Sequence, residues 1–131
     1  MFVLKANQTI YFDVDNTLII WNTNTLDNPS GVVYVKNMSG HMTAVRPNRH
    51  TIQHLIDHKK AGSTIVVWSA AGWEHSYETV RALELENYVD VVAAKPTFFY
   101  DDLKAEEFMP EIYRLDLDFE TGINNVKNGL G

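Results

Sequence analysis

The sequence predicts an α/β fold: a doubly wound, mainly parallel sheet of the Rossmann type with a small β-hairpin flap. Short runs of apolar and β-branched residues, typical of buried strands, alternate with segments of helical periodicity. The 131 residues contain no repeat, linker or low-complexity block, and this length is that of a single domain. We expect its core to span about residues 8–110 and its flap about residues 20–45.

The apolar runs place the strands along the chain. Four runs are predicted to form strands of the main sheet: Gln8–Val14, Ser63–Trp68, Val89–Ala93 and Phe98–Tyr100. Val32–Val35 and Met42–Val45 flank a turn at Asn37–Gly40, a pattern that predicts a β-hairpin. Asn22–Gly31 is rich in Asn, Thr, Pro and Gly and is predicted to be a loop.

Two helices are predicted between the strands. Asn48 is a suitable N-cap for the first, Gly62 supplies its C-terminal stop, and its apolar positions share one face. The second is predicted over Trp73–Glu86, followed after Leu103 by a helical or irregular segment. The Asn- and Gly-rich tail, about residues 119–131, is expected to be poorly ordered.

Composition excludes several classes of function. The absence of cysteine excludes disulfide frameworks, cysteine-ligated zinc and thiol catalysis. Seventeen acidic and eleven basic residues give a net charge of −6, which disfavours non-specific binding of nucleic acid. The apolar run Met1–Leu4 is too short for a signal peptide or a membrane span, so we expect a cytoplasmic protein without a membrane partner.

Polar residues follow each predicted strand of the main sheet. These groups are Asp13–Thr17, Ser69–Gly72, Lys95–Pro96 and Asp101–Asp102. Because ligand sites of parallel α/β sheets lie beyond the carboxyl ends of the strands, we expect them to share one site. Four neighbouring carboxylates remain ionised only if cations bind among them. Lys95 offsets one charge, and Mg²⁺, which prefers oxygen ligands, would offset two more.

The spacing within this set indicates phosphoryl chemistry. Asp13 and Asp15 are two residues apart, so on an extended strand both carboxylates face the same way. One could be a nucleophile that forms an aspartyl-phosphate, and the other a general acid and base. Ser69, Lys95 and the backbone amides that follow Ser69, including that of Ala70, would hold the phosphate oxygens.

These residues, in this order, resemble the haloacid dehalogenase-like hydrolase superfamily. The sequence Asp13-Val14-Asp15-Asn16-Thr17 after a hydrophobic strand matches its first motif, and Val66–Ser69 resembles the second. Lys95 resembles the third motif, and the acidic pair in Phe99–Asp102 the fourth. The resemblance covers about residues 8–110.

The resemblance implies a role for each matched position. Asp13 would be the nucleophile and a metal ligand, and Asp15 the acid/base, with its main-chain carbonyl on the metal. Asn16 and Thr17 would support the first motif. The phosphoryl group would be bound by Ser69, Ala70 and Lys95. Asp101 and Asp102 would complete the Mg²⁺ site. The second aspartate of the first motif favours phosphate chemistry over cleavage of carbon–halogen bonds.

The short connections resemble the minimal-cap branch of the superfamily, in which open sites often accept large substrates. A nucleotide, a 3′-phosphate end of a nucleic acid and a sugar phosphate all remain candidate substrates. Three tryptophans flank the motifs, where they could stack on a base or sugar, although packing explains them equally well: Trp21, Trp68 and Trp73. The alternative to a phosphatase is a weakly active or inactive module that binds a metal or a partner.

Two metal-binding interpretations are less favoured. A calcium loop starting at Asp13 needs Gly at its sixth position and Glu at its twelfth, where Leu18 and Asn24 stand. His50, His54 and His58 recur every four residues, a spacing that suggests zinc. Thr51 stands where the zinc-protease motif needs Glu, so we expect these histidines to form a solvated stripe.

Overall fold

The structure, a computed structural model, describes residues 7–21, 31–37 and 39–110. The chain divides into two compact units, whose described parts are residues 7–21, 31–37 and 39–95 for the larger and residues 96–110 for the smaller. The single domain predicted from the sequence stays a prediction. Most of the predicted loop at Asn22–Gly31 and all of the predicted tail lie outside the described residues. In the described part of the chain, no helix is long and apolar enough to cross a membrane.

The larger unit confirms the α/β class. Its elements in chain order are β1 (Thr9–Asp13), β2 (Ile19–Ile20), β3 (Val33–Lys36), β4 (Met42–Pro47), α1 (Arg49–Lys60), β5 (Thr64–Ser69), α2 (Trp73–Ala82) and β6 (Val91–Ala94). The second helix was predicted to run to Glu86, but it ends four residues earlier. Glu84 has a left-handed backbone (φ +57°), which an α-helix does not accommodate.

Three parallel strands form the main sheet, in the order β1-β5-β6. Their register places Asp13 beside Trp68, and Trp68 beside Ala93. Alternate residues of the strands, such as Phe12 and Val67, join one buried apolar cluster with residues of both helices. On the opposite face, Tyr11 and Val91 are 44% and 47% exposed.

The predicted hairpin is confirmed, and a third strand extends it. β3 and β4 pair antiparallel around a turn in which Gly40 N donates to Asn37 O (3.0 Å). β2 pairs antiparallel with the other edge of β4, so the second sheet has the order β2-β4-β3. Val35 and Val45 are buried in the main apolar cluster. The hairpin is therefore packed into the core of this unit through one of its faces.

The strand predicted at Phe98–Tyr100 is wrong. In the smaller unit these residues have no strand pairing, and Phe98 and Tyr100 are 87% and 102% exposed. The Phe99 ring instead contacts Phe108 at the end of α3 (Ala105–Phe108), with ring centroids 6.0 Å apart. Three consecutive aromatic residues favour a strand locally, but a strand also needs a partner, and local sequence does not specify one.

The expected solvated stripe of histidines is wrong at its last member. His50 is exposed and His54 half-buried, but His58 is only 1% exposed, and its ring lies 6.2 Å from that of Phe12. An α-helix has 3.6 residues per turn, so each step of four residues advances about 40° beyond a full turn. From His50 to His58 the side chains therefore turn progressively from solvent toward the core.

Asn48 confirms the predicted N-cap of α1 and also holds the loop that follows β1. Its Oδ1 accepts a hydrogen bond from Thr51 N, which caps the helix. Its Nδ2 donates to the Thr17 carbonyl (2.9 Å), and its backbone N donates to the Leu18 carbonyl (2.8 Å). Asn48 is buried, so these bonds have no competition from water.

We predict that Asn48→Asp lowers the free energy of unfolding by about 1–3 kcal/mol, measured by urea denaturation. Aspartate caps helices as well as asparagine does, so a residue that served only as a cap would tolerate this change. The loss is expected because an oxygen would replace the Nδ2 donor that faces the Thr17 carbonyl. An Asn48→Asp variant as stable as the wild-type protein would contradict this account.

Candidate active site

A tight turn directs the side chains that follow β1. The Val14 carbonyl accepts hydrogen bonds from the backbone N–H groups of Thr17 and Leu18. Asn16 has a left-handed backbone (φ +60°), which asparagine tolerates better than most residues. Val14 and Leu18 are fully buried and anchor the turn in the core. The polar residues between these anchors therefore lie at the carboxyl end of β1.

The structure brings Asp13, Thr17 and Lys95 together. Thr17 Oγ1 donates a hydrogen bond to Asp13 Oδ2 (3.2 Å), and Lys95 Nζ lies 3.6 Å from Asp13 Oδ1. Lys95 is held at this edge because its backbone N donates to the Ser69 carbonyl (2.8 Å). Its ammonium group also lies 6.0 Å from the centre of the Trp68 ring, close enough for a cation–π interaction.

Asp15 has a separate set of partners. Its Oδ1 accepts a hydrogen bond from Trp21 Nε1 (2.7 Å) and lies 2.9 Å from His75 Nε2. The rings of Trp21 and His75 stack, with centroids 6.5 Å apart. The prediction that both aspartates face the same way assumed an extended chain through Asp15, but β1 ends at Asp13. The two carboxylates therefore contact different groups.

The contacts of Asp15 shift the protonation equilibria of both partners. Burial raises the pKa of Asp15, but hydrogen bonds from His75 and Trp21 outweigh burial and hold this pKa below its ordinary value. The hydrogen bond to Asp15 raises the pKa of His75, against the effect of its own burial. The pair therefore favours an ionised carboxylate beside a protonated imidazole.

Ser69 is the last residue of β5, and Ala70 begins the turn that leads to α2. The Ser69 side chain is fully buried; its Oγ accepts a hydrogen bond from Ala71 N (3.0 Å), and its hydroxyl helps to lower the pKa of Asp15. Ala70 is exposed. Gly72 precedes α2 with a left-handed φ of +115° and offers no side-chain cap. Phosphate binding by Ser69 and Ala70 stays a prediction.

The predicted metal ligands lie in both units of the chain. Asp13 and Asp15 belong to the larger unit, whereas Asp101 and Asp102 belong to the smaller one, where both are exposed. Asp101 Oδ1 accepts a hydrogen bond from Leu103 N (2.9 Å), the pattern of a turn-opening aspartate.

Magnesium is compatible with the donor chemistry of this set. The Asp13 carboxylate lies at the strand end and supplies the oxygen donors that Mg²⁺ prefers. Within residues 7–21, 31–37 and 39–110, no group of three or more His, Cys, Asp or Glu side chains is placed to hold a metal ion. The Mg²⁺ site and the contribution of Asp101 and Asp102 therefore stay predictions.

Sequence reasoning missed the contacts of His75 with Asp15 and of Asn48 with the loop after β1. A signal for His75 was present: it is the third residue of the helix predicted to start at Trp73, directly after the second polar strand end. In parallel α/β folds this first helical turn lies at the ligand-binding edge of the sheet. A titratable residue there was a candidate by position alone.

Comparisons with known proteins provide no assignment. No family model, no curated protein and no solved structure matches the chain. The case for a function therefore depends on the motif residues and on the geometry around Asp13 and Asp15.

We predict that Asp15→Asn lowers the pKa of His75, because the substitution removes the charge and weakens the hydrogen bond that raise this pKa and leaves the burial that depresses it. The pKa is measured by NMR titration of the imidazole ring protons. Asp13→Asn is the matched control: Asp13 is the smallest of the influences that raise this pKa, so only a small decrease is expected. Equal decreases in the two variants would contradict the assignment of Asp15 as the partner of His75.

Proposed function

We propose that this protein is a Mg²⁺-dependent phosphomonoester hydrolase that acts through an aspartyl-phosphate on Asp13. The observation that carries the proposal is the position of the Asp13 carboxylate. It lies at the carboxyl end of β1, in a motif typical of aspartate nucleophiles, between the Thr17 hydroxyl and the Lys95 ammonium. A carboxylate normally repels a phosphate, and a cation 3.6 Å away reduces that repulsion.

The first chemical step is an attack by an Asp13 carboxylate oxygen on phosphorus. A bond forms between this oxygen and phosphorus, and the bond from phosphorus to the ester oxygen breaks. Lys95 attracts the phosphate oxygens, and Thr17 orients the nucleophile through Oδ2. A bound Mg²⁺, held by the Asp13 carboxylate and the Asp15 carbonyl, would further neutralise the phosphate charge.

Asp15 is proposed as the general acid and base. It protonates the leaving ester oxygen in the first step and takes a proton from the attacking water in the second, which releases phosphate and restores Asp13. Its lowered pKa suits the second step, because the free carboxylate is ionised at neutral pH. A bound phosphate beside Asp15 would raise this pKa, since like charges disfavour ionisation, and would thereby allow it to carry the proton.

The finer description of the fold is part of the same proposal. We propose a doubly wound sheet of the haloacid dehalogenase type in which the hairpin β3–β4 takes the place of a large cap. A small cap suits the three substrate classes considered from the sequence: nucleotides, 3′-phosphate ends of nucleic acids and sugar phosphates. A cytoplasmic location is proposed on composition, because a chain without cysteine has no need of an oxidising compartment.

We predict that Asp13→Asn lowers phosphate release from a generic aryl phosphate at least about 10³-fold, because the amide cannot act as the nucleophile. The melting temperature should remain close to that of the wild-type protein. Asp57→Asn, a change of the same chemistry on α1, is the matched control and should retain wild-type turnover. Wild-type turnover in Asp13→Asn would contradict the proposed nucleophile.

We predict that excess chelator stops phosphate release and that added Mg²⁺ restores it. Phosphate release is measured on a panel of nucleotides, sugar phosphates and oligonucleotide 3′-phosphates. Full activity in chelator would contradict the metal requirement, and Mg²⁺ binding without turnover on any substrate would favour the inactive module.

A further inference from the structure

Two hydrogen-bonding partners of the Asp15 carboxylate, Trp21 and His75, converge on the same oxygen. Trp21 Nε1 lies 2.7 Å from Oδ1, and His75 Nε2 lies 2.9 Å from the same atom. An indole N–H can only donate, so the direction of the first bond is fixed. A carboxylate oxygen has two lone pairs, and two donors on Oδ1 occupy both of them. Oδ2 is then the oxygen with capacity for a proton.

Helix α2, strand β6 and the stacking of the two rings hold the donors in place. His75 belongs to the first turn of α2, and its side chain is only 13% exposed. The next residue, Ser76, is fully buried and donates a hydrogen bond through Oγ to the Ala93 carbonyl of β6 (3.0 Å). The imidazole stacks on the indole ring of Trp21. The backbone N of Trp21 in turn donates a hydrogen bond to Asn16 Oδ1 (3.4 Å). The position of the imidazole is therefore fixed by the helix, the sheet and the indole together.

We propose that His75 is a positioning residue for the acid/base Asp15. With Trp21, it holds Asp15 through Oδ1, so that Oδ2 is the atom that passes its proton to the leaving ester oxygen. His75 acts through Asp15 and does not contact the substrate. This inference rests on the proposed phosphatase function and adds to it the oxygen that transfers the proton and the residue that orients it.

A residue that positions a general acid affects different substrates to different degrees, which a residue that only stabilises the fold does not. General acid catalysis matters most when the leaving group is a strong base, and it contributes little when the leaving group departs readily as an anion. Misplacement of Asp15 should therefore slow the first step, phosphate transfer to Asp13, with phenyl phosphate, whose leaving group is basic. It should have little effect on the same step with 2,4-dinitrophenyl phosphate, an ester of similar size with a weakly basic leaving group.

The test compares kcat/KM for these two esters in the wild-type protein and three variants. This ratio reports the steps up to phosphate transfer to Asp13 and excludes the later hydrolysis of the aspartyl-phosphate, which is common to both esters. His75→Ala should lower kcat/KM for phenyl phosphate roughly 10- to 100-fold and change kcat/KM for the dinitrophenyl ester less than about threefold. His75→Gln should recover most of the lost kcat/KM, because its amide N–H reaches a position similar to that of imidazole Nε2. His41→Ala, a change at an exposed histidine of the hairpin, should behave as wild type.

Two kinetic outcomes would overturn the proposal. Equal losses of kcat/KM on the two esters in His75→Ala would mean that the substitution damages the site in general. Wild-type kinetics on both esters would mean that Asp15 does not need His75.

A second measurement separates this proposal from the proposed function. The indole N–H resonance of Trp21, assigned with Trp21→Phe, should move upfield in Asp15→Asn and shift measurably in His75→Ala, because Asp15 Oδ1 is its acceptor. An unchanged resonance in both variants would overturn the shared contact on Oδ1. Failure of the wild-type protein to hydrolyse either ester would overturn the proposed function and the catalytic role of His75, whereas the resonance would still report the contact.

Discussion

The parallel pairing of β1, β5 and β6 is the constraint on which the site depends. The register sets Asp13 beside Trp68 and Trp68 beside Ala93, and the backbone bond from Lys95 to Ser69 extends this alignment beyond the strands. The Asp13–Lys95 ion pair is partly exposed, and such pairs contribute only about 0–1 kcal/mol. The sheet therefore holds the ion pair in place, and the ion pair contributes little to the sheet. An ammonium group in so weak an ion pair could exchange the Asp13 carboxylate for the anionic substrate of the proposed function.

Each helix of the larger unit supports one of the two motif aspartates. The N-terminus of α1 acts through Asn48, which holds the Thr17 carbonyl while the Thr17 hydroxyl contacts Asp13. The first turn of α2 acts through His75, which contacts Asp15 directly. The two carboxylates are two residues apart in sequence, yet they are oriented by different elements. This separation suits two different chemical roles, because the surroundings of each group can set its orientation and its pKa independently.

The sequence predicted well those features that depend on local pattern. The runs of β-branched residues predicted the positions of β1 and β5. The preference of asparagine for the N-cap position predicted that α1 starts after Asn48. The positions of Asp13 and Lys95 at the carboxyl ends of strands followed from the general rule for parallel sheets, and the structure brings these two residues within ion-pair distance. The strands and the helix cap have their physical cause in a short stretch of sequence, whereas the Asp13–Lys95 contact followed from the topology of parallel sheets.

Features that depend on tertiary partners which no general rule of topology specifies were not predicted. Phe98–Tyr100 has the composition of a strand, but pairing is a long-range property. His58 is buried because the line of histidines winds around α1 and brings its last member against Phe12. The spacing of four residues does not show this burial unless the face of α1 that packs on the sheet is known. His75 and Asp15 are 60 residues apart in sequence, and their contact arises only when α2 packs beside the loop after β1.

The most direct test of the central claim is to trap the covalent intermediate on Asp13. The wild-type protein would be mixed with an aryl phosphate and Mg²⁺, quenched, reduced with borohydride and digested for peptide mass spectrometry. Borohydride reduces an acyl phosphate to an alcohol, so the account predicts homoserine at position 13 and unmodified aspartate at position 15. Phosphate release with Asp13 unmodified, or with the reduced residue at another position, would contradict it.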